Sequence, residues 1–476
     1  MLIWLVILYL MISIGIGLYA ATRVHNVKDY VMAGRHLPLY IVTATVFATW
    51  FGAETVLGVS ATFVQEGLRG IVEDPFGASM CLILVGAFFA AKLYKMNLIT
   101  IGDYYRQRFG RTVEVLTSLA IIVSYLGWVS AQITALGLVF SFITQGAISP
   151  GEGMVVGAGI VLIYTLFGGM WSVALTDAFQ MTIIVVGMLY LTWLLSGIAG
   201  GADRVIDHAA QAQKLILWPQ LETRDVLAFI GAAVTMMLGS IPQQDVFQRV
   251  MSAKNEKTAV FGALLGGTLY FLFAFVPLFL AYSATLIDPV MVATLIDDNA
   301  QLILPTLIMN HTPVFAQVIF FGALLAAIMS TASGTLLAPS VTFTENILKS
   351  IIGHQSDRHF LWTMRAVVVC FTVAVTLFAL KSTLSIYLMV GNAYKVTLVS
   401  AFIPLVCGLY WKRANTQGAL FAIAAGLSSW LLLEIFNPDG LCPPQLAGLL
   451  MSASGMLIGS LLPDLKRRSH ATHLIE

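Results

Sequence analysis

The chain places hydroxyls and a carboxylate where a lipid environment disfavours them. In Ala326-Ala327-Ile328-Met329-Ser330-Thr331-Ala332-Ser333-Gly334-Thr335, four hydroxyls fall within six residues of an otherwise apolar helix. A hydroxyl in hydrocarbon needs a partner, so such a cluster lines a helix contact, a cavity or an ion path. A second stretch, Ala48-Thr49-Trp50-Phe51-Gly52-Ala53-Glu54-Thr55, interrupts another apolar run. A break there frees the carbonyls of Ala48 and Phe51. Ser330 and Thr331 add hydroxyls, and the carbonyl of Ala327 sits one turn before Ser330. Five such oxygens suit a hard cation such as sodium. The alternative is that Ser330 and Thr331 bond only their own helix backbone.

Glu54 lies just past the expected break. An intramembrane carboxylate is costly and faces a cavity or a partner. It is a candidate for binding a cationic solute, for coupling, or for pairing with Lys395, the one Lys or Arg well inside an apolar run. Trp50, Thr55, Trp128 and Gln243 are candidates to surround a solute, with Gln132 as a further polar contact. Asp177 opens an apolar run after a short turn, where a carboxylate also suits a helix N-terminus.

These residues must be positioned by membrane helices. Hydrophobic residues make up 58% of the 476 and charged residues only 10%, with a mean hydropathy of +0.88. A soluble domain carries roughly a quarter charged residues, so this composition is that of a polytopic all-α membrane protein. About thirteen apolar segments are long enough to span: 2–22, 38–64, 73–94, 113–142, 150–167, 171–198, 225–247, 259–285, 313–348, 361–380, 384–410, 416–436 and 444–463. Lys and Arg concentrate in alternate loops, among them Arg23, Lys28, Arg35, Lys92, Lys95, Arg106, Arg249, Lys254, Lys412 and Lys466 to Arg468. The positive-inside rule makes that set cytoplasmic, with the N-terminus outside and the C-terminus, 464–476, inside. The expected location is the plasma (inner) membrane.

Other classes find little support. The four cysteines are scattered, and no HxxH, HExxH, Walker or GxGxxG pattern occurs. The net charge of +1 gives no reason to expect nucleic acid. No nucleophile–base pair points to an enzyme, and an ion gradient is the simplest energy source.

Two segments have interrupted interiors: 44–58 and Met236-Met237-Leu238-Gly239-Ser240-Ile241-Pro242-Gln243-Gln244-Asp245. They are the second and seventh spans, five apart. Paired broken helices in two halves point to an inverted-repeat transporter with its site at mid-membrane depth. Repeats of five helices then cover 38–198 and 225–410, with 2–22 and 416–463 as additions.

On these motifs the sequence resembles the sodium:solute symporter family, of the LeuT type of fold, from about residue 30 to residue 415. Ala48 to Ala53 resembles its broken first core helix. Tyr164-Thr165-Leu166-Phe167-Gly168-Gly169-Met170-Trp171-Ser172-Val173-Ala174-Leu175-Thr176-Asp177 resembles its Gly-Gly signature and the following Thr-Asp, and Ala326 to Thr331 its sodium-site helix. The resemblance implies sodium at Ala48, Phe51, Ala327, Ser330 and Thr331, with Asp177 near that site on the intracellular exit side. Within the family, Phe247-Gln248-Arg249-Val250 and Ile303-Leu304-Pro305 are most similar to the high-affinity choline transporter branch. There an aromatic cage holds the quaternary ammonium. Trp50 and Trp128 match two cage tryptophans, but a third cage position falls on Gln243 and a cage tyrosine on Ala78. That branch also lacks an acid at the position of Glu54. The expected function is sodium-coupled import of a small organic solute: a choline-like amine, a zwitterion or a carboxylate. A sodium-independent uniporter or channel, and a sensor on a transporter fold, are the alternatives. The oligomeric state is left open.

Overall fold

Hydrocarbon offers the backbone no hydrogen-bond partners, so apolar runs of this length close their bonds internally as helices. The computed structural model describes residues 2–353 and 356–463 and contains no extended strand among them. The expected tail at 464–476, with Lys466 to Arg468, lies outside the described residues. Ten helices are long and apolar enough to cross a membrane, eleven with one bent pair. The helices that matter here are α1 (Leu2–Ala21), α2 (Leu39–Phe47), α3 (Ser60–Glu66), α4 (Leu68–Lys95) and α5 (Arg111–Ile143). They continue with α6 (Pro150–Ile198), α7 (Thr223–Gly239), α8 (Gln244–Met251), α9 (Glu256–Ile287), α10 (Val314–Ile352), α11 (Asp357–Lys381), α12 (Ile386–Tyr410), α13 (Thr416–Phe436) and α14 (Pro444–Leu461). The expected thirteen spans would be reached only by counting α2 with α3 as one crossing and α6 as two.

Both expected interruptions are present. Helix α2 stops at Phe47, and regular α-helix resumes in α3 only after a wide π-helical turn at Glu54–Val59. Between them the Gly52 N–H donates to the Trp50 carbonyl two residues back, at 2.7 Å. Helices α7 and α8 meet at a 48° bend around Pro242, where the missing N–H and the ring prevent a continuous helix. The two broken helices are tied end to end. The Leu37 N–H donates to the Ser252 carbonyl at 3.1 Å, and the Lys254 N–H donates to the Leu37 carbonyl at 3.0 Å.

Gly169 explains the Gly-Gly signature. Helix α6 is broken there by φ 50°, ψ −138°, and a Cβ would collide with the Tyr30 carbonyl. Tyr30 packs into the break, its hydroxyl donating to the Leu166 carbonyl at 3.2 Å. Gly169→Ala combines a strained φ with a clash, so we expect little monodisperse protein by size-exclusion chromatography, whereas Gly197→Ala, in open space, should leave the yield unchanged.

Asp177 is therefore not at a helix N-terminus, as its sequence position suggests. It lies two turns beyond Gly169 inside α6, fully buried, so the dipole does not account for its charge.

Candidate functional site

The hydroxyl-rich stretch of α10 packs against the break between α2 and α3, and its four hydroxyls divide into two pairs. Ser333 and Thr335 bond their own helix, donating to the carbonyls of Ser330 at 2.9 Å and Thr331 at 2.8 Å. Ser330 and Thr331 reach across. Thr331 donates to the Ala48 carbonyl at 3.3 Å, and Ser330 donates to Asp177 Oδ1 at 2.5 Å. Ala48, Ser330 and Thr331 are thus brought together, and Ala327 lies one turn earlier on α10. Phe51 lies in the break, its ring stacked on Phe47 at 5.1 Å. All five are buried.

Asp177 is the hub beneath them. Its Oδ2 accepts from Thr45 at 2.6 Å and lies 3.8 Å from Arg249 Nε. Arg249 also donates to Thr45 Oγ1 at 3.2 Å and pairs with Asp245 at 3.3 Å. Tyr125 donates to the other oxygen of Asp245, and its ring stacks on Trp128 at 5.8 Å. Arg249, grouped by sequence with the loop bases, is instead 1% exposed in α8. Its guanidinium packs on Gly334, where no side chain would fit.

A second cluster lies on the other side of the break. Trp50 Nε1 donates to the Tyr394 hydroxyl at 2.9 Å. Trp128 lies 5.3 Å from the Tyr394 ring, and Trp50 6.3 Å from the Tyr270 ring. Thr55 Oγ1 lies 2.9 Å from the Trp50 carbonyl and 2.9 Å from the Tyr270 hydroxyl, and its single proton serves one or the other. Tyr270 donates in turn to Asp74, a buried carboxylate at the start of α4. Four aromatic rings and one acid are contiguous. The Trp128 indole N–H is buried with no hydrogen-bond partner.

The remaining candidates separate. Gln132 donates to Glu54 Oε2 at 2.5 Å and accepts from the Ala53 N–H at 3.1 Å, which sets both side chains between the two clusters. Gln243 is held by Ser124 at 2.9 Å and Thr397 at 3.3 Å, which brace the α7–α8 bend. Lys395 does not meet Glu54; it pairs with Glu434 of α13 at 3.5 Å.

Sequence reasoning missed Asp74, Arg249, Asp245, Tyr270 and Tyr394. Asp74 carried a usable signal, as an acid at the mouth of an apolar run. The tyrosines carried none, since an aromatic residue in a membrane helix reads equally well as packing.

Comparison with known proteins agrees with this architecture. The family model for the sodium:solute symporter family matches residues 30–426. The human high affinity choline transporter 1 is 30% identical over 451 residues, covering 90% of this chain and 75% of that one. The sodium/pantothenate symporter of Escherichia coli (strain K12) is 26% identical, covering 95% of this chain and 94% of that one. Among solved structures, the substrate-bound outward-open state of a Na+-coupled sialic acid symporter superposes with a TM-score of 0.82 at 21% identity, covering 97% of this chain and 96% of that one. MhsT in complex with L-phenylalanine gives a TM-score of 0.58 at 15% identity, covering 89% of this chain and 98% of that one. These likenesses identify the LeuT-type fold. With its broken helices packed on a hydroxyl-bearing helix, and with the family model matched over most of its length, the chain belongs to the sodium:solute symporter family.

Proposed function

We propose that this membrane protein imports a small organic amine together with sodium by alternating access. The observation that carries the reading is the cluster of Trp50, Trp128, Tyr270 and Tyr394 with Asp74, which no Lys or Arg joins by an ion pair among the described residues. Ring faces attract an ammonium, and a buried carboxylate completes its charge. Relatives are named for choline, glucose and pantothenate; the acid and the rings favour the amine among these chemistries.

Sodium would bind at Ala48, Phe51, Ala327, Ser330 and Thr331, holding the α2–α3 break against α10. Trp50, Thr55 and Trp128 would face the solute one layer away, with Glu54 and Gln132 as the floor between solute and ion. Gln243 would act through the bend it braces. A sodium ion that binds the outward-facing state better shifts the population toward it, and linkage then tightens solute binding. The repeats would run over 38–198 and 225–410. Basic loops on the cytoplasmic side would orient the chain in the plasma (inner) membrane, and the sodium gradient would set the direction of transport.

Counterflow of labelled amines in proteoliposomes tests the reading. Accumulation should follow an inward sodium gradient and vanish when potassium replaces sodium. Asp74→Asn should weaken amine binding by about 2 kcal/mol or more, roughly thirtyfold, because it removes one partner of a buried charge pair. Equal uptake with and without sodium would favour a uniporter. Undiminished amine binding by Asp74→Asn would remove the amine site.

A further inference from the structure

Neither the aromatic cluster nor the five oxygens of the proposed sodium site account for Gly52. A Cβ on Gly52 would stand 2.5 Å from Thr331 Oγ1, 2.9 Å from Gln132 Oε1 and 2.9 Å from Glu54 Oε2. Three oxygens from three segments therefore bound the open face of one glycine. Oxygen cages hold calcium at about 2.3–2.6 Å, and sodium is close to calcium in ionic radius. A small inward shift of these side chains would give a coordination shell.

Charge makes the same demand. Glu54 is 1% exposed, and its Oε1 has no hydrogen-bond partner. Among the described residues no base forms an ion pair with it; Lys395 and Arg249 are engaged elsewhere. A buried carboxylate without a counter-charge costs several kcal/mol, so a proton or a cation must complete it.

The hydrogen bonds discriminate between these. The Ala53 N–H donates to Gln132 Oε1, which fixes the orientation of the amide. Gln132 Nε2 must then donate to Glu54 Oε2. A proton on Oε2 would point at that donor, and a proton on Oε1 would find no acceptor. A metal ion instead draws on lone pairs from every oxygen present. Gln132 Oε1 keeps its second lone pair, and Thr331 Oγ1, whose proton goes to Ala48, keeps both of its own.

We propose that Glu54, Gln132 and Thr331 bind a second sodium ion, sharing Thr331 with the site at Ala48 and Ser330. Two sodium ions would then accompany each solute. The inference rests on the sodium coupling proposed above, and its test separates the two.

The test combines sodium activation of uptake with equilibrium binding of radioactive sodium to purified protein. Wild type should show a Hill coefficient clearly above one, since that coefficient is bounded by the number of interacting sites. Glu54→Gln keeps the shape of the side chain, and should lower the coefficient to about one and halve the bound sodium. Should Glu54→Gln lose its fold, Gln132→Glu, which adds charge at the same point, should still raise sodium affinity. Sodium-dependent uptake with a single bound ion in wild type would overturn this inference alone. Unchanged sodium stoichiometry in Glu54→Gln, or a proton gradient driving wild type but not that variant, would do the same. Absence of any sodium dependence would overturn the symport reading itself.

Discussion

Replacing Ser330 and Thr331 together by Ala is expected to raise the sodium concentration for half-maximal uptake by about a hundredfold or more. Each hydroxyl is aimed away from its own helix, at Asp177 and at the Ala48 carbonyl. A hydrogen bond or ligand contact to a charged group is worth roughly 1.5–3 kcal/mol, so losing two costs about 3 kcal/mol at the least, or two powers of ten. The control is internal to the helix. Ser333 and Thr335 back-bond to α10, and the Ser333→Ala, Thr335→Ala pair should shift sodium activation little. Equal effects of the two pairs on sodium activation would argue against a sodium role for Ser330 and Thr331.

Arg249→Leu is the second substitution with a large expected effect, and it acts on the fold before it acts on transport. It leaves Asp177 and Asp245 both buried without a cation. Breaking a buried pair by removing one partner costs about 3–5 kcal/mol, here spread over the contacts that join α2, α6, α8 and α10. We expect a marked fall in the unfolding temperature of the detergent-solubilised protein. Adding Asp245→Leu should recover part of it, because one orphaned charge disappears with its partner. Arg249→Lys keeps the charge without the planar fork and should fall between wild type and Arg249→Leu. If Arg249→Leu melts like wild type, the guanidinium is not holding this junction together.

The sequence reveals the junction of hydroxyls and helix breaks better than the aromatic cluster. Hydroxyls and breaks are anomalies in apolar helices, so Ser330, Thr331, Ala48 and both interruptions are legible in the sequence. The partner of each hydroxyl was not, since back-bonding and bonding across helices have the same sequence signature. Arg249 was misread because the apolar run ends at residue 247, which moves the next base into a loop on paper. Helix α8 is short and amphipathic, yet all eight of its residues are buried. Asp74 gives a weaker signal for a related reason: it precedes Pro75 at the very start of the expected span 73–94, whereas the structure buries it under Tyr270. Asp177 was assigned to a helix start because the Gly168-Gly169 pair looks like a full stop, although the helix resumes immediately after Gly169.

The joint between the two broken helices at Leu37, Ser252 and Lys254 is built entirely from main-chain atoms. A clasp of that kind has no side-chain vocabulary. The clasp's own bonds survive a change of side chain, although Leu37 is also fully buried and its truncation to Ala would cost packing. Proline, which removes the donor at either strand of the joint, is the substitution that would open it. Two helices drawn from opposite halves of the chain are thereby joined by bonds that do not depend on which side chains flank them.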